Sequence, residues 1–159
     1  MRPAMGERRR SRELALQALF ALEFDEQPMD ACIEQMRARA EEPASDDEEL
    51  AELVRGGPSV QNFAEILVQG VRAHHEEIDA ILGRFSTNWK VSRMALVDRN
   101  ILRVACFELL HLADVPPKVT LNEAVEIAKK FGSSDSGSFI NGVLDSVHRR
   151  LAEGGAERS

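Results

Sequence analysis

The chain has 159 residues, of which 43% are hydrophobic, enough for one domain or two small packed halves. A formal net charge of −7 excludes a protein that is basic throughout, and two cysteines are too few for a disulfide framework or a cysteine-rich zinc site. We therefore predict that Cys32 and Cys106 are reduced and buried. No stretch approaches the roughly 18 consecutive apolar residues of a membrane span, so we expect a soluble, cytoplasmic protein without a membrane partner.

The first predicted helix runs from Ser11 to about Phe24 and follows a basic arm. Residues 1–12 contain five arginines and one glutamate, a net charge of +4, which leaves −11 for the remainder. At 100° per residue the helix has an apolar side and a mainly polar side. The apolar side comprises Leu14, Ala15, Ala18, Leu19 and Leu22, and the opposite side comprises Arg9, Glu13, Gln17 and Phe20, with Arg10 at its edge.

Phe20 has two interpretations. An exposed aromatic ring beside guanidinium groups suits stacking on an unpaired base, with the arginines on phosphates. Alternatively, another helix covers Phe20 and the arginines form a solvated helix end.

A second helix is predicted from Pro28 to about Glu41, followed by an acidic connector over residues 41–58. Seven acidic residues and no basic residue occur between Glu41 and Glu52, which is typical of a solvated segment that is partly helical at its end. The role of this connector is unassigned.

Two further helices are predicted, from Ser59 to about Val71 and from about Ile78 to Phe85. His75 and Asp79 stand four residues apart on one helix face, but two ligands are too few for a metal site, so no metal is predicted. The only tryptophan, Trp89, is expected to fill the core where the two halves meet.

The most hydrophobic helix begins near Asp98 and is expected to be central. Glu108 lies on its apolar side and therefore requires a buried donor, such as an arginine.

In the final helical pair, Thr120 and Glu123 are spaced as a capping box. Gly132 is expected to end that helix in the left-handed conformation. An apolar stripe ending at Leu151 then predicts a last helix packed antiparallel to it.

The pattern predicts an all-α bundle of about seven helices in two packed halves, at about 8–85 and about 93–152. No alternating run or hairpin turn indicates a strand. The sequence has no glycine-rich phosphate loop, nucleophile elbow or HExxH pair, so we predict neither an enzyme nor a cofactor.

Several segments together resemble the NusB family of transcription antitermination factors. They are RRRSRELALQALFALEF, NWKVSRMALVDRNILRVACFELL, VPPKVTLNEAVEIAKKFG and SFINGVLD, which cover over half the chain in the family's order. The sequence departs from the family at Met94 and Val97, where prolines or charged residues often occur, and at Phe20, where tyrosine is common.

The resemblance implies a scaffold that binds the boxA element of nascent RNA together with the ribosomal protein NusE. The pair would help RNA polymerase read through terminators, notably in ribosomal RNA synthesis. It also favours base stacking on Phe20 over burial of its ring. The implied RNA-contacting residues are Arg8, Arg9, Arg10, Arg12, Gln17, Phe20, Arg103, Phe131, Asp135, Ser136 and Phe139, and Asp98 is implied to face NusE.

Three alternatives remain at this point. Arg103 is implied to contact phosphate, but a structural salt bridge would explain it nearly as well. The whole protein could instead be a structural homodimer that uses the apolar faces of its first half. It could also be an accessory NusB-like domain, of the kind fused to ribosomal RNA cytosine methyltransferases, without RNA binding of its own.

Overall fold

Helices form all the regular structure of the residues that the computed structural model describes, which are 5–24, 27–41, 57–86 and 90–158. These residues contain α1 (Met5–Phe24), α2 (Met29–Glu41), α3 (Gly57–Ala73), α4 (His75–Phe85), a 3₁₀ turn (Val91–Arg93), α5 (Leu96–His111), α6 (Pro117–Phe131) and α7 (Ser136–Arg158). The all-α prediction is confirmed. Most of the acidic connector and Trp89 lie outside the described residues. None of these helices is both long enough and apolar enough to cross a membrane.

The chain divides into two compact units, Met1–Gly70 and Val71–Ser159. The division falls in the last turn of α3, whereas the sequence suggested a boundary after Phe85. Helix α4 belongs to the second unit, where Arg103 of α5 donates two hydrogen bonds to the carboxylate of Asp79, at 2.9 and 2.8 Å. Periodicity identified α4 as a helix but carried no information about the helix it packs against.

The core of the first unit includes the predicted apolar face of α1. The α1 residues Leu14, Ala15 and Ala18 are fully buried. Cys32 of α2 is also buried, with Sγ 3.9 Å from the carbonyl oxygen of Ala18. Glu13, which the periodicity placed opposite the apolar side of α1, is also buried, at 5% exposed. The start of α1 also packs against α3, where the Ser11 hydroxyl donates to the Val60 carbonyl at 2.9 Å, so more than one side of α1 is covered.

Helix α5 is the most buried helix of the second unit, as predicted. Its residues 100–108 are buried without interruption, and it packs against α4, α6 and α7. Glu108, 2% exposed, accepts a hydrogen bond from the hydroxyl of Thr120 at 3.3 Å. The predicted need for a buried donor is therefore met from α6.

The capping box predicted at Thr120 and Glu123 was wrong. Helix α6 begins at Pro117, with Pro116 at the N-cap and no side-chain cap. Proline suits the first helical position because its fixed φ is already helical and its missing N–H would have no partner there. Thr120 consequently lies one turn inside the helix, where its hydroxyl binds Glu108 instead of a helix terminus.

The junction between α6 and α7 requires Gly132 for a different reason from the one predicted. Its backbone is extended (φ −95°, ψ −170°), so the left-handed conformation was wrong. A Cβ atom at this position would lie 2.6 Å from Cβ of Ser136 and 2.8 Å from the carbonyl oxygen of Ala128. Only glycine allows this close approach. Helix α7 then continues to Arg158, beyond the predicted stripe.

Cys106 makes stability depend on pH above the neutral range. Burial, and then the negative charges of Glu77 and Asp79, raise the pKa of its thiol from 9.0 to about 12. The protonated thiol of Cys106 contributes fully to the free energy of unfolding at pH values below the pKa that the thiol has in the unfolded chain. As the pH rises above 9.0, the unfolded chain loses the thiol proton that the folded protein keeps. We expect the free energy of unfolding to fall there by up to about 1.4 kcal/mol per pH unit from this group.

Urea unfolding of the wild type and the Cys106→Ala variant, between about pH 8 and about pH 10.5, measures this contribution. The wild type should lose stability more steeply with pH than the variant. Parallel curves would contradict the assignment to Cys106.

Candidate nucleic-acid interface

Four arginines lie near the N-terminus of α1, and helix geometry divides them into two pairs. Arg8 and Arg12 stand four residues apart and face Phe63 of α3, with guanidinium carbons 3.7 and 5.8 Å from the ring centroid. Arg9 and Arg10 are exposed. Positive charges near a helix N-terminus oppose the helix dipole, so the cluster does not serve to stabilise α1.

Of the pair that faces Phe63, Arg12 requires a correction to its sequence-based assignment as an RNA contact. Arg12 is only 3% exposed, so its guanidinium is not presented to a nucleic acid. Its place is in the packing between α1 and α3. Arg8 is half-buried on the same ring, and the outward pair, Arg9 and Arg10, retains the accessibility that RNA contact needs.

An exposed aromatic pair lies further along α1. Phe20 is 47% exposed, as the base-stacking interpretation requires, and Gln17 is half-buried one turn before it. The sequence analysis missed Phe24, which is 73% exposed and packs edge-on against Phe20 with ring centroids 5.2 Å apart. The four-residue spacing of the two rings was the available signal, because it places them on one helix face.

The second unit holds the other group of predicted RNA-contacting residues, at the junction of α6 and α7. Asp135 is exposed, and Phe131 and Phe139 are half-buried. Ser136 is 2% exposed, and its hydroxyl accepts the backbone N–H of Ser133 at 2.9 Å. The Ser136 side chain therefore closes the loop, which corrects its assignment as a surface contact.

A cavity of about 400 Å³ adjoins this junction. It is lined by Val125, Lys129, Gly132, Ser133, Ser134, Gly137, Ser138 and Asn141. Serine hydroxyls, one ammonium group and the first turn of a 23-residue helix face this space. These are groups that bind phosphate oxygens, since a helix N-terminus presents N–H groups and a partial positive charge.

The two predicted site residues on α5, Asp98 and Arg103, differ in their hydrogen-bond partners. Asp98 lies in the first turn of α5, and its Oδ1 is buried without a hydrogen-bond partner in the part of the chain that the structure describes. Arg103 is 8% exposed and bidentate on Asp79. This geometry supports the salt-bridge alternative for Arg103 and corrects its assignment as a phosphate contact.

A cluster of possible metal ligands also occurs in the second unit. His75 does contact Asp79, at 3.3 Å, but that carboxylate is shared with Arg103. The structure instead brings His74, Glu77 and His111 together, with one ligand atom from each within 4.8 Å of the others. Sequence analysis missed this group because His111 is 34 residues from Glu77 and only the pairing of α4 with α5 joins them.

Comparison with known proteins agrees with the helical architecture. The model of the NusB family matches residues 9–149. The transcription antitermination protein NusB of Desulforapulum autotrophicum is 46% identical over 143 residues, covering 90% of this chain and 92% of the relative.

Solved structures show the same fold. NusB of T. maritima has a TM-score of 0.67 at 31% identity, covering 94% of this chain and 93% of that chain. A crystal structure of the antitermination factors NusB and NusE in complex with dsRNA has a TM-score of 0.68 at 24% identity, a likeness of fold that covers 92% of this chain and 99% of that chain. The chain belongs to the NusB family.

Proposed function

We propose that this protein is a transcription antitermination factor that binds boxA-type single-stranded RNA together with NusE. In this role it promotes read-through by RNA polymerase, notably in ribosomal RNA operons. The observation that carries the proposal is the outward face of α1, where Arg9 and Arg10 are exposed and Phe20 is 47% exposed. The shared family and the name of the Desulforapulum relative support it.

The outward face of α1 offers two kinds of contact. Arg9 and Arg10 bind phosphates, which positions the RNA without reading its sequence. Phe20 and Phe24 stack on bases, which requires bases that are unpaired and splayed away from their neighbours. Arg8 stays on Phe63, where it covers the ring and adds positive charge beside the outward pair.

The junction of α6 and α7 supplies a further RNA contact in this proposal. Phe131 and Phe139 offer partly exposed rings, and a phosphate binds in the adjoining cavity beside Lys129. Asp135, exposed at the same loop, accepts hydrogen bonds from base edges or ribose hydroxyls.

Asp98 is the proposed contact with NusE. Asp98 is half-buried in the first turn of α5, so part of its side chain stays accessible to a hydrogen-bond donor of the partner protein. Binding of RNA by both proteins of a heterodimer raises the apparent affinity, because the second contact becomes intramolecular.

Fluorescence anisotropy of a labelled boxA RNA, with and without NusE and over a series of salt concentrations, tests the proposal. The double variant Arg9→Ala/Arg10→Ala should bind at least about tenfold more weakly. Its plot of log affinity against log salt should be shallower by about 1.4, since each single-strand phosphate contact contributes about 0.7.

Arg149→Ala is the matched control, because Arg149 is an exposed arginine on α7 that pairs with Asp145. It should bind RNA like the wild type. Unchanged affinity of the double variant would contradict the α1 site. Equal binding of boxA, scrambled and double-stranded RNA, even with NusE, would contradict the function.

Light scattering with and without RNA tests the homodimer alternative. The exposed rings of Phe20 and Phe24 are the apolar surface on α1 that a homodimer could bury. A dimer mass together with absence of RNA binding would favour that alternative, whereas a complex of protein, NusE and RNA would favour the proposed function.

A further inference from the structure

His74, Glu77 and His111 come together because α4 and α5 are paired within the second unit. His74 occupies the turn between α3 and α4, Glu77 lies in the first turn of α4, and His111 is the last residue of α5. The imidazole rings of His74 and His111 stack with centroids 3.9 Å apart. Nε2 of His111 lies 2.7 Å from Oε1 of Glu77.

The three side chains combine two imidazoles with one carboxylate. This donor set binds Zn²⁺ in proteins, and water fills the remaining position of such a site. The donor atoms here lie within 4.8 Å of one another. Bonds of about 2.0–2.2 Å in tetrahedral geometry place donor atoms roughly 3.4 Å apart, so the widest separation must contract by about 1.4 Å.

The side chains have the freedom to make this contraction. The side chains of His111 and Glu77 are 32% and 51% exposed, and His74 is half-buried. Stacked imidazoles direct their in-plane lone pairs along parallel lines, so one ring must rotate out of the stack to share an ion with the other. Phe107 is 6% exposed beneath them, with its centroid 6.0 Å from that of His74, and provides a fixed apolar floor.

The surrounding charge favours a cation. Glu77 contributes negative charge to the site itself. Asp79, two residues further along α4, is paired with Arg103 and lies outside the group of ligand atoms. Cys106 is fully buried, and the group of ligand atoms within reach of one another does not include its sulfur.

We propose that His74, Glu77 and His111 form a Zn²⁺ site that clamps the start of α4 to the end of α5. The ion replaces the hydrogen bond between Glu77 and His111, and water completes its coordination. A bound ion stabilises the folded state because the unfolded chain does not hold the three ligands together. This site shares no residue with those proposed to bind RNA.

Isothermal titration of the tag-free protein with Zn²⁺ at about pH 7.5, after metal removal by chelation, tests the proposal. The wild type should bind about one ion, and Zn²⁺ should raise its melting temperature. Co²⁺ should give the visible absorption of a tetrahedral site with nitrogen and oxygen ligands.

Glu77→Gln and His111→Asn should each weaken Zn²⁺ binding at least about tenfold, because each removes a direct ligand. Glu77→Gln replaces an exposed side chain and keeps its shape, so it tests the site in a folded protein. His75→Ala is the matched control, since His75 is adjacent and exposed but lies outside the cluster. Affinity and melting temperature of this control should respond to Zn²⁺ like those of the wild type.

The absence of Zn²⁺ binding by the wild type at about 100 µM would overturn the proposal. So would a His111→Asn variant that binds as tightly as the wild type, or a His75→Ala variant that loses as much affinity as the ligand variants. RNA affinity measured in parallel should be the same for Glu77→Gln and the wild type, so failure of the metal site and failure of the RNA site are distinguishable.

Discussion

Replacing Arg103 by methionine is expected to lower the free energy of unfolding by about 3 kcal/mol. Arg103 is 8% exposed, and its guanidinium donates two parallel hydrogen bonds to Asp79. Methionine keeps much of the apolar volume but removes the charge, so the carboxylate of Asp79, 24% exposed, loses its strongest partner. The contact between His75 and Asp79, at 3.3 Å, compensates only in part.

A double-mutant cycle with Asp79→Asn separates the ion pair from the packing of the arginine stem. Urea unfolding of the two single variants and the double variant gives the coupling energy, which we expect to exceed about 1 kcal/mol. Arg149→Ala at the exposed pair with Asp145, where the nitrogen and oxygen are 3.1 Å apart, should cost less than about 1 kcal/mol. Additive effects of the two substitutions at Asp79 and Arg103 would show that the pair contributes little to stability.

The Leu102→Ala variant is expected to lose about 3–5 kcal/mol of stability. Leu102 is fully buried in α5, which packs against α4, α6 and α7, so helices on several sides would have to move to fill the cavity. At roughly 2–4 °C per kcal/mol for a chain of this size, the melting temperature should fall by about 10 °C.

Calorimetry of Leu102→Ala beside Ile66→Ala measures this effect. Ile66 is 49% exposed on α3, so its truncation leaves no closed cavity and should change stability by less than about 1 kcal/mol. Similar losses for both variants would contradict the central position of α5 in its unit.

The sequence by itself determined the helices and much of their burial. Apolar residues at three- and four-residue spacing report which side of a helix avoids water, because side chains with that spacing share a face. That pattern correctly predicted the buried face of α1 and the central position of α5, whereas it left the exposure of Phe20 open and only the family resemblance favoured it. Motif order over the whole chain was sufficient to indicate the NusB family, which the family match confirms.

Only the tertiary structure decided which residues meet. Arg12 looks like a neighbour of Arg9 in sequence, yet it is 3% exposed because Phe63 of α3 lies against its side of α1. Thr120 has the spacing of a helix cap, but its hydroxyl binds Glu108, twelve residues away on another helix.

The pairing of α4 with α5 shows the same limit of sequence analysis. It joins Asp79 to Arg103 over 24 residues and Glu77 to His111 over 34 residues. Periodicity is a property of one helix and carries no information on the register between two helices. The partner of Arg103 and the proposed zinc site both depend on that register, so neither could be predicted until the helices were packed.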